Sequence, residues 1–435
     1  MKTGVMIAAP MSGQGKTTVS RGLMALYRRK GMAVQPFKCG PDYIDTKFHA
    51  AVCGRPSINL DTFMATPQHV AQLFARYGRK ADVCVVEGMM GLFDGYDRDR
   101  GSSAEIARTL GIPVVLVVDA RSAAYSMAAL LSGFLHFRDD LNVAGVVFNK
   151  VGSERHAGLL RQVCDDLGVA CLGCLPRRKE LEQGSRYLGL DFTEEAACEP
   201  LVQLMETHVD WQRILDEGAT DVTLPAAAAA DDDAAPTAAH PYGNTANPQY
   251  ARPRALIARN EEAFSFVYQE TIDCFGSVSF FDPEHEVPAF DGVDLLYLPG
   301  GYPEKHLDAL TANKACREAI KAWADGGGRV VAECGGMMYL CEKMITDDGD
   351  YPLCGVLPYA VSARTADRRL SLGYRRFTLD GREYRGHEFH YTQFAGAVPP
   401  SAAQVFDARG EPVDSPVFRQ GNVLATYVHL GPGGN

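Results

Sequence analysis

Short, almost continuously apolar runs recur through the first half of the chain. They are GVMIAA (Gly4–Ala9), DVCVVEG (Asp82–Gly88), PVVLVVDA (Pro113–Ala120) and VAGVVFNK (Val143–Lys150). Runs of this length without polar alternation are typical of strands covered on both faces, and stretches with helical spacing such as TTVSRGLMALYRRKG separate them. The pattern predicts a parallel, doubly wound α/β sheet.

The same alternation begins again in the last part of the chain. The apolar runs there are ALIARN, SVSFFDP, DLLYLPGG, GRVVAECGG and VLATYVHL. Between the two parts, Thr223–Pro253 is rich in Ala, Asp and Pro and has too few large apolar residues to pack, so we expect a linker. The 435 residues therefore predict two α/β domains, at 1–222 and 254–435, joined by a linker at 223–253.

Composition narrows the classes of protein that fit this fold. The net charge of −11 argues against nonspecific binding to nucleic acid, because phosphate contacts need clustered Lys and Arg. No apolar run approaches the roughly 18 residues that span a bilayer, so we expect no membrane segment. The twelve cysteines include one C-x-x-C pair without a second pair, so we expect reduced thiols and a cytoplasmic protein. The oligomeric state stays open, with a homodimer as one alternative.

The segment APMSGQGKTTVS follows the first predicted strand and opens a helix, which is where a phosphate-binding loop belongs. Glycines in such a loop let backbone amides approach phosphate, the lysine reaches the β and γ oxygens, and the next hydroxyl suits magnesium. Pro10 stands where the usual motif has its first glycine. The segment predicts an ATP and magnesium site formed by Ser12, Gly13, Gly15, Lys16, Thr17 and Thr18.

Acidic residues follow other predicted strands, at the edge where ligands bind in such sheets. Asp42 and Asp45 flank a tight turn in FKCGPDYIDTKFH, while VVEGMMGLFDG places Glu87 at a strand tip and Asp94 seven residues later. Carboxylates in these places suit magnesium. Asn149 ends the next strand and can present both a donor and an acceptor to a purine edge.

A cysteine on a glycine corner carries the chemistry of the second half. In AECGGMMYL, Cys334 lies between an apolar run and a Gly-Gly pair that starts a helix, a nucleophile elbow in which the helix N-terminus lowers the thiol pKa. The segment ATYVHLG provides His429 as a proton acceptor at the end of another apolar strand. Gly300 and Gly301 form a turn whose backbone amides can stabilise an oxyanion. We assign no metal to the histidines of GHEFHYT, because H-E-x-H is one residue short of the zinc-protease motif.

Eight ordered motifs identify the chain as a member of the cobyrinate a,c-diamide synthase family. They are SGQGKTT, FKCGPDYID, VEGMMGLFDG, NKVGSERH, LPGGYPE, AECGGMMYL, RGHEFHY and TYVHL, spread over almost the whole chain. The resemblance implies a glutamine-dependent amidotransferase of cobalamin biosynthesis. Its N-terminal domain would be an ATP-dependent synthetase similar to dethiobiotin synthetase, and its C-terminal domain a glutaminase similar to class I amidotransferases.

The resemblance also implies a mechanism. Cys334, deprotonated by His429, attacks the side-chain amide of L-glutamine and releases ammonia. In the other domain MgATP phosphorylates a peripheral carboxylate of cobyrinate, and ammonia displaces the phosphate in two rounds. Family comparison would put Lys16 and Thr17 on ATP and magnesium, with Asp42, Asp45, Glu87 and Asp94 organising the metal and the reacting carboxylate. We expect Thr17, Asp42 and Glu87 to hold the metal, Asp45 and Asp94 to lie near the carboxylate, and Asn149 to contact ATP.

The chain departs from the family pattern at three positions. Class I glutaminases usually carry a glutamate two residues after the histidine, where this chain has Gly431. His429 therefore acts either as one half of a dyad or with another acid. Tyr187 stands where we expect histidine, and Asn260 where aspartate is usual.

Other functions remain open at this point. Ni-sirohydrochlorin a,c-diamide synthase shares both domains and amidates the equivalent acetates of a related macrocycle. Cobyric acid synthase amidates other positions and differs from SGQGKTT in its loop. A partitioning-type ATPase switch would leave Cys334 and His429 unexplained, and an inactive glutaminase acting as an interaction module is a further alternative.

Overall fold

The computed structural model describes residues 3–178, 198–218, 242 and 252–431. The chain divides into two compact units, Met1–Thr62 with Thr66–Asp233 and Phe63–Ala65 with Ala234–Asn435. Most of the predicted linker lies outside the described residues, as does Tyr187. Within the described part of the chain, no helix is long and apolar enough to cross a membrane.

Seven parallel strands form the described sheet of the first unit, in the order β3-β2-β4-β1-β5-β6-β7. The strands are β1 Thr3–Ala8, β2 Val34–Cys39, β3 Ile58–Leu60, β4 Val83–Glu87, β5 Val114–Asp119, β6 Val143–Val151 and β7 Cys171–Pro176. The helices are α1 Lys16–Arg29, α2 Ile44–Cys53, α3 Pro67–Gly78, α4 Ser103–Leu110, α5 Met127–His136, α6 Glu154–Leu167, α7 Glu199–His208 and α8 Trp211–Gly218. This parallel α/β sheet confirms the predicted fold class.

Register places the carboxyl ends of the central strands side by side. Ile7 of β1 and Lys38 of β2 are both paired with Glu87 of β4. The strands are almost entirely buried, as expected when helices cover both faces of a parallel sheet. Side chains at the ends of β2 and β4 therefore face the loop that leads from β1 into α1.

The described part of the second unit contains three sheets. They have the strand orders β20-β21-β11-β10-β8-β9, β13-β12-β14-β17 and β19-β18-β15-β16-β22. The strands are β8 Arg254–Ala258, β9 Ser277–Phe281, β10 Leu295–Leu298, β11 Val330–Glu333, β12 Cys341–Ile345, β13 Asp350–Pro352, β14 Leu357–Ser362, β15 Ser371–Leu379, β16 Arg382–His390, β17 Gln393–Phe394, β18 Val405–Asp407, β19 Pro412–Val413, β20 Val417–Gln420, β21 Val423–Thr426 and β22 His429–Leu430. The helices are α9 Gln269–Asp273, α10 Leu307–Ala312, α11 Lys314–Asp325 and α12 Gly335–Leu340, with 3-10 helices at Pro303–Lys305 and Thr365–Asp367.

The last apolar run is divided between two sheets, which corrects the single strand that VLATYVHL predicts. β21 pairs in parallel with β11 and ends at Thr426, whereas β22 pairs with β16 in the antiparallel sheet. An apolar run shows that a segment is buried but not which sheet it joins. His429 consequently lies where the parallel and antiparallel sheets approach each other.

Candidate active sites

The loop between β1 and α1 is held by the ends of two other strands. Gly13 and Gly15 have φ values of 78° and 103°, which favour glycine. A methyl group on Gly15 would overlap the Asn149 amide, and Asn149 Nδ2 donates to the Gln14 carbonyl at 2.9 Å. The Gln14 side chain accepts from the backbone N–H of Asp119 at 2.7 Å. Asn149 thus holds the loop in place. The sequence predicted only a contact of Asn149 with a purine, not this one.

The predicted phosphate-binding side chains start α1. The Lys16 ammonium is buried and donates to the Met90 carbonyl, in the loop that follows β4. The Thr17 hydroxyl donates to Glu87 Oε1 at 2.6 Å. Thr18 is partly buried in the same turn, while Ser12 is exposed in the loop. The lysine, the hydroxyl and the strand-end carboxylate are therefore brought together by folding.

Glu87 joins α1 to a histidine that the sequence interpretation missed. Its second oxygen, Oε2, lies 2.7 Å from His49 Nε2, and His49 Nδ1 lies 3.2 Å from the Ser57 hydroxyl. Burial would raise the pKa of Glu87, but the Lys38 ammonium and the His49 side chain outweigh it and lower the pKa to about 2. An ionised carboxylate beside a threonine hydroxyl is a donor set that magnesium accepts, so these residues fit the expected metal.

Lys38 is a second residue that the sequence interpretation missed. It is only 1% exposed, and its ammonium donates to the Gly88 carbonyl at 3.1 Å. Asp45 and Asp42 lie 3.4 Å and 3.8 Å from it. Burial would lower the pKa of Lys38, but these carboxylates outweigh it and raise the pKa. The available sequence signal was the position of Lys38 at the end of a strand, just before the D-x-x-D of Asp42 and Asp45. The carboxyl ends of parallel strands share the edge of the sheet at which ligands bind.

Two of the predicted acids also have local structural roles. Asp42 Oδ1 accepts the backbone N–H groups of Ile44 and Asp45, both at 2.9 Å, at the start of α2. Burial raises the pKa of Asp42. Asp94 Oδ2 accepts from the Gly91 N–H at 2.9 Å within the loop after β4.

In the second unit, the predicted cysteine corner is present. Cys334 has φ 46° and ψ −107°, and its N–H donates to the Thr426 carbonyl at 2.8 Å. A methyl group on Gly336 would overlap the Leu298 carbonyl, and one on Gly335 would lie 2.8 Å from Pro303 Cδ. Both glycines are therefore required by close packing against β10 and the 3-10 helix.

The thiol does not have the lowered pKa that the helix N-terminus predicts. Burial, with a smaller contribution from the Glu304 carboxylate, raises the pKa of Cys334 well above its ordinary value. The residue is 3% exposed, and α12 is only six residues long. Loss of hydration thus outweighs the field of a short helix, and the resting thiol is protonated.

His429 lies directly against the glycine turn. A methyl group on Gly300 would overlap its imidazole, and a methyl group on Gly335 would be 3.0 Å from the Gly301 N atom. The β11–β21 pairing places Glu333 opposite Thr426, three residues before the histidine. The glycine turn therefore contacts both the predicted imidazole and the glycine that follows the predicted nucleophile.

The imidazole of His429 is surrounded by aromatic rings. It stacks on His387 with ring centroids 4.9 Å apart and an angle of 17° between the planes. Burial, followed by the nearby His387 and His390, lowers the pKa of His429 well below its ordinary value. The His387 Nδ1 atom lies 3.1 Å from the Tyr268 hydroxyl. The resting site therefore contains a neutral imidazole as well as a neutral thiol.

Two buried glutamates flank the site. Glu388 lies 2.5 Å from Arg375 Nε and 2.8 Å from His390 Nε2. Glu333 accepts from the hydroxyls of Tyr242 and Tyr297 at 2.8 Å and 3.0 Å, and burial raises its pKa to about 8. The motif H-E-F-H was the available sequence signal for Glu388, which the sequence interpretation did not use. Nothing local signalled the second, because its tyrosine partners are distant in sequence.

Comparisons with known proteins match both halves of the chain. Residues 5–188 match the CobQ/CobB/MinD/ParA nucleotide binding domain, and residues 262–432 match the CobB/CobQ-like glutamine amidotransferase domain. Among solved structures, the septum site-determining protein MinD complexed with Mg-ADP from Pyrococcus horikoshii is 16% identical. It covers 51% of this chain and 97% of its own, with a TM-score of 0.35.

Several relatives over nearly the full chain are named hydrogenobyrinate a,c-diamide synthase. The Rhizobium meliloti protein is 38% identical, covering 98% of both chains, and the Brucella abortus protein is 39% identical with the same coverage. The Mycobacterium tuberculosis protein is 38% identical, covering 99% of this chain and 95% of its own. Fold and sites define a two-domain α/β protein with a P-loop nucleotide-binding domain and a glutamine amidotransferase domain. The chain belongs to the hydrogenobyrinate a,c-diamide synthase family.

Proposed function

We propose that this protein uses ATP and glutamine to amidate the a and c acetate carboxylates of hydrogenobyrinate in cobalamin biosynthesis. It is a glutamine-dependent amide-forming ligase, as its relatives and its amidotransferase domain establish. One observation carries the proposal. The same chain has a thiol, an imidazole and a glycine turn in one unit and a lysine loop with a buried carboxylate in the other.

Glutamine hydrolysis is assigned to the second unit. Cys334 transfers its proton to His429 and attacks the side-chain amide carbon of glutamine, and the backbone amides at Gly300 and Gly301 stabilise the oxyanion. His429 then returns the proton to the leaving nitrogen, and ammonia departs. Water cleaves the resulting thioester to glutamate. Burial keeps both groups neutral at rest and opposes the proton transfer between them, so bound substrate and the oxyanion-stabilising amides must favour it.

Carboxylate activation is assigned to the first unit. An acetate carboxylate is a poor electrophile until it carries a leaving group, so it takes the γ-phosphoryl group of ATP and ammonia then displaces phosphate. Lys16 binds the β and γ oxygens, and Lys38 orients the acetate, with Asp45 and Asp94 near the reacting carboxylate. Thr17 and Glu87, with Asp42 as the third proposed ligand, would hold magnesium, which would neutralise phosphate charge when bound. Two rounds yield the a,c-diamide.

The test is amidation by the purified full-length protein with ATP and either glutamine or ammonia. We expect Cys334→Ala to abolish the glutamine-dependent reaction while the ammonia-dependent one persists. Lys16→Ala should abolish both, because each nitrogen source requires an activated carboxylate. Cys341→Ala, which removes another buried thiol, and Lys30→Ala, on the surface, are the matched controls.

The substrate is tested in the same assay by comparing hydrogenobyrinate, cobyrinate and Ni-sirohydrochlorin. We expect the highest kcat/KM with hydrogenobyrinate. Turnover of the nickel compound alone would contradict the proposed substrate. Unchanged glutamine use by the Cys334 variant would contradict the nucleophile, and amidation by the Lys16 variant would contradict the ATP loop.

A further inference from the structure

A carboxylate oxygen is buried near the nucleophile without a hydrogen-bond partner. Glu304 lies in the 3-10 helix Pro303–Lys305, immediately after the glycine turn. Its side chain is half-buried overall, but its Oε2 atom is sealed from solvent and has no hydrogen-bond partner among the described residues. A buried carboxylate oxygen without a donor costs free energy unless a ligand satisfies it.

The packing of this helix places Glu304 beside the reacting thiol. Pro303 lies against Gly335, which follows the nucleophile. The Glu304 carboxylate also acts on Cys334 directly, because after burial it contributes most to the raised pKa of the thiol. The acid is thus part of the nucleophile's surroundings, although the mechanism above gives it no role.

Neighbouring cations are bonded to other acids. Lys305 lies 3.7 Å from Glu262, and His306 lies 3.3 Å from Glu262 and 2.9 Å from Glu284. Burial raises the pKa of Glu304, and the charges of Lys305, Arg368 and His306 only partly oppose this. A cation that reached the Oε2 atom would therefore make a strong, poorly hydrated ion pair.

We propose that Glu304 binds the α-ammonium group of glutamine and so selects the amide donor. The inference rests on the proposed function, which makes glutamine the substrate of this site. Glutamine has its ammonium group at the opposite end from the amide that Cys334 attacks, so one molecule can reach both residues. The bound ammonium also cancels the charge of Glu304, which makes thiolate formation easier when substrate is present.

The experiment compares glutamine with glutaramic acid, which has the same amide and carboxylate but no amino group. Hydrolysis of both is measured in the full-length protein with ATP and hydrogenobyrinate present. Glu304→Gln should raise KM for glutamine at least about tenfold, because a hydrogen bond to a charged group is lost. It should not lower kcat/KM for glutaramic acid, which has no ammonium group for Glu304 to bind. Glu304→Asp retains the charge, so its KM for glutamine should lie between those of Glu304→Gln and the wild type.

The control is Glu262→Gln, which removes an acid that contacts the same short helix through Lys305. It should keep the wild-type preference for glutamine. An equal preference for glutamine over glutaramic acid in Glu304→Gln and the wild type would overturn the inference and leave the proposed function intact. A wild-type protein that hydrolyses neither compound would overturn both. Ammonia-dependent amidation by Glu304→Gln reports that the variant is folded.

Discussion

The two sites are built alike but differ in electrostatics. Each lies at the carboxyl ends of parallel strands, beside a glycine turn that opens a helix. The first site buries charges: Lys38 and Glu87 are each 1% exposed, and mutual attraction favours their ionised forms. In the second site the nucleophile and the base are kept neutral, since burial raises the pKa of Cys334 and lowers that of His429.

This difference follows from the two kinds of chemistry. Phosphoryl transfer requires permanent positive charge and metal ligands, so a network of paired ions can be kept ready before substrate binds. A thiolate that formed before substrate bound could undergo side reactions. Desolvation prevents this, because it keeps the Cys334 thiol protonated. The comparison teaches that a glycine turn after a strand can hold either charged or neutral reacting groups. The surrounding residues determine which.

The strongest test of the charged site is Glu87→Gln. The variant loses the negative charge that faces Thr17 and His49, so magnesium and phosphate would be poorly held. We expect ammonia-dependent amidation to fall on the order of 10²- to 10³-fold. The measurement is amide formation at saturating ammonia and ATP. The control Asp97→Asn, at an exposed acid, should have the amidation rate of the wild type. A Glu87→Gln variant with wild-type activity would show that the contacts of Glu87 with Thr17 and His49 are only structural.

Gly300→Ala tests the neutral site. The added methyl would overlap the His429 imidazole, so the base must move away from the thiol. A displacement of this size costs on the order of 10²-fold in rate, and we expect that loss in glutamine hydrolysis. Ammonia-dependent amidation should remain. Gly158→Ala, where an added methyl meets open space, is the control; equal effects of the two variants would argue against a positioned imidazole.

Much of the fold could be predicted from the sequence, because buried parallel strands have local signatures. The apolar runs ending near Ala8, Glu87 and Asp119 became adjacent strands of one sheet. The prediction that VLATYVHL forms one strand was wrong, since the chain changes sheet after Thr426. A local pattern records burial but not the partner strand.

The sites could be predicted only in part, for a related reason. Motifs indicated Lys16 and Cys334, whose roles stay predictions, but the direction of the Cys334 pKa shift was wrong. Its pKa depends on the depth of burial, which distant segments determine. Glu333 went unnoticed because its partner Tyr242 is 91 residues away in sequence. Electrostatics therefore required the folded structure.

A smaller effect is expected for Lys38→Met, which removes the cation from the charged site. Burial raises the pKa of Glu87 and the Lys38 ammonium lowers it. Without that ammonium, we expect the pKa of Glu87 to rise. The carboxylate is then protonated at higher pH, so the acid limb of ammonia-dependent activity should move up by about one to two pH units. The measurement is a pH profile of kcat/KM. An unshifted limb would contradict the coupling, and Lys30→Met, at the surface, provides the matched control.

The smallest effect concerns stability, in the neutral site. Glu333 has a pKa of about 8 in the folded protein, against the ordinary value of 4.5. Between these values the native state holds a proton that the unfolded chain has lost, so stability falls as pH rises through this window. Glu333→Gln removes that titration and keeps a neutral side chain beside Tyr242 and Tyr297. Its Tm, relative to wild type, should therefore increase by about several degrees from pH 5 to pH 8.

Differential scanning calorimetry of the full-length protein at both pH values measures this change in the transition of the second unit. Glu342→Gln, at an exposed acid on β12, should show no such trend. A Glu333→Gln difference that stays constant with pH would mean that the native carboxyl is already ionised at pH 5. The second site would then bury charge as the first one does, and the electrostatic contrast between the two sites would fail at this residue.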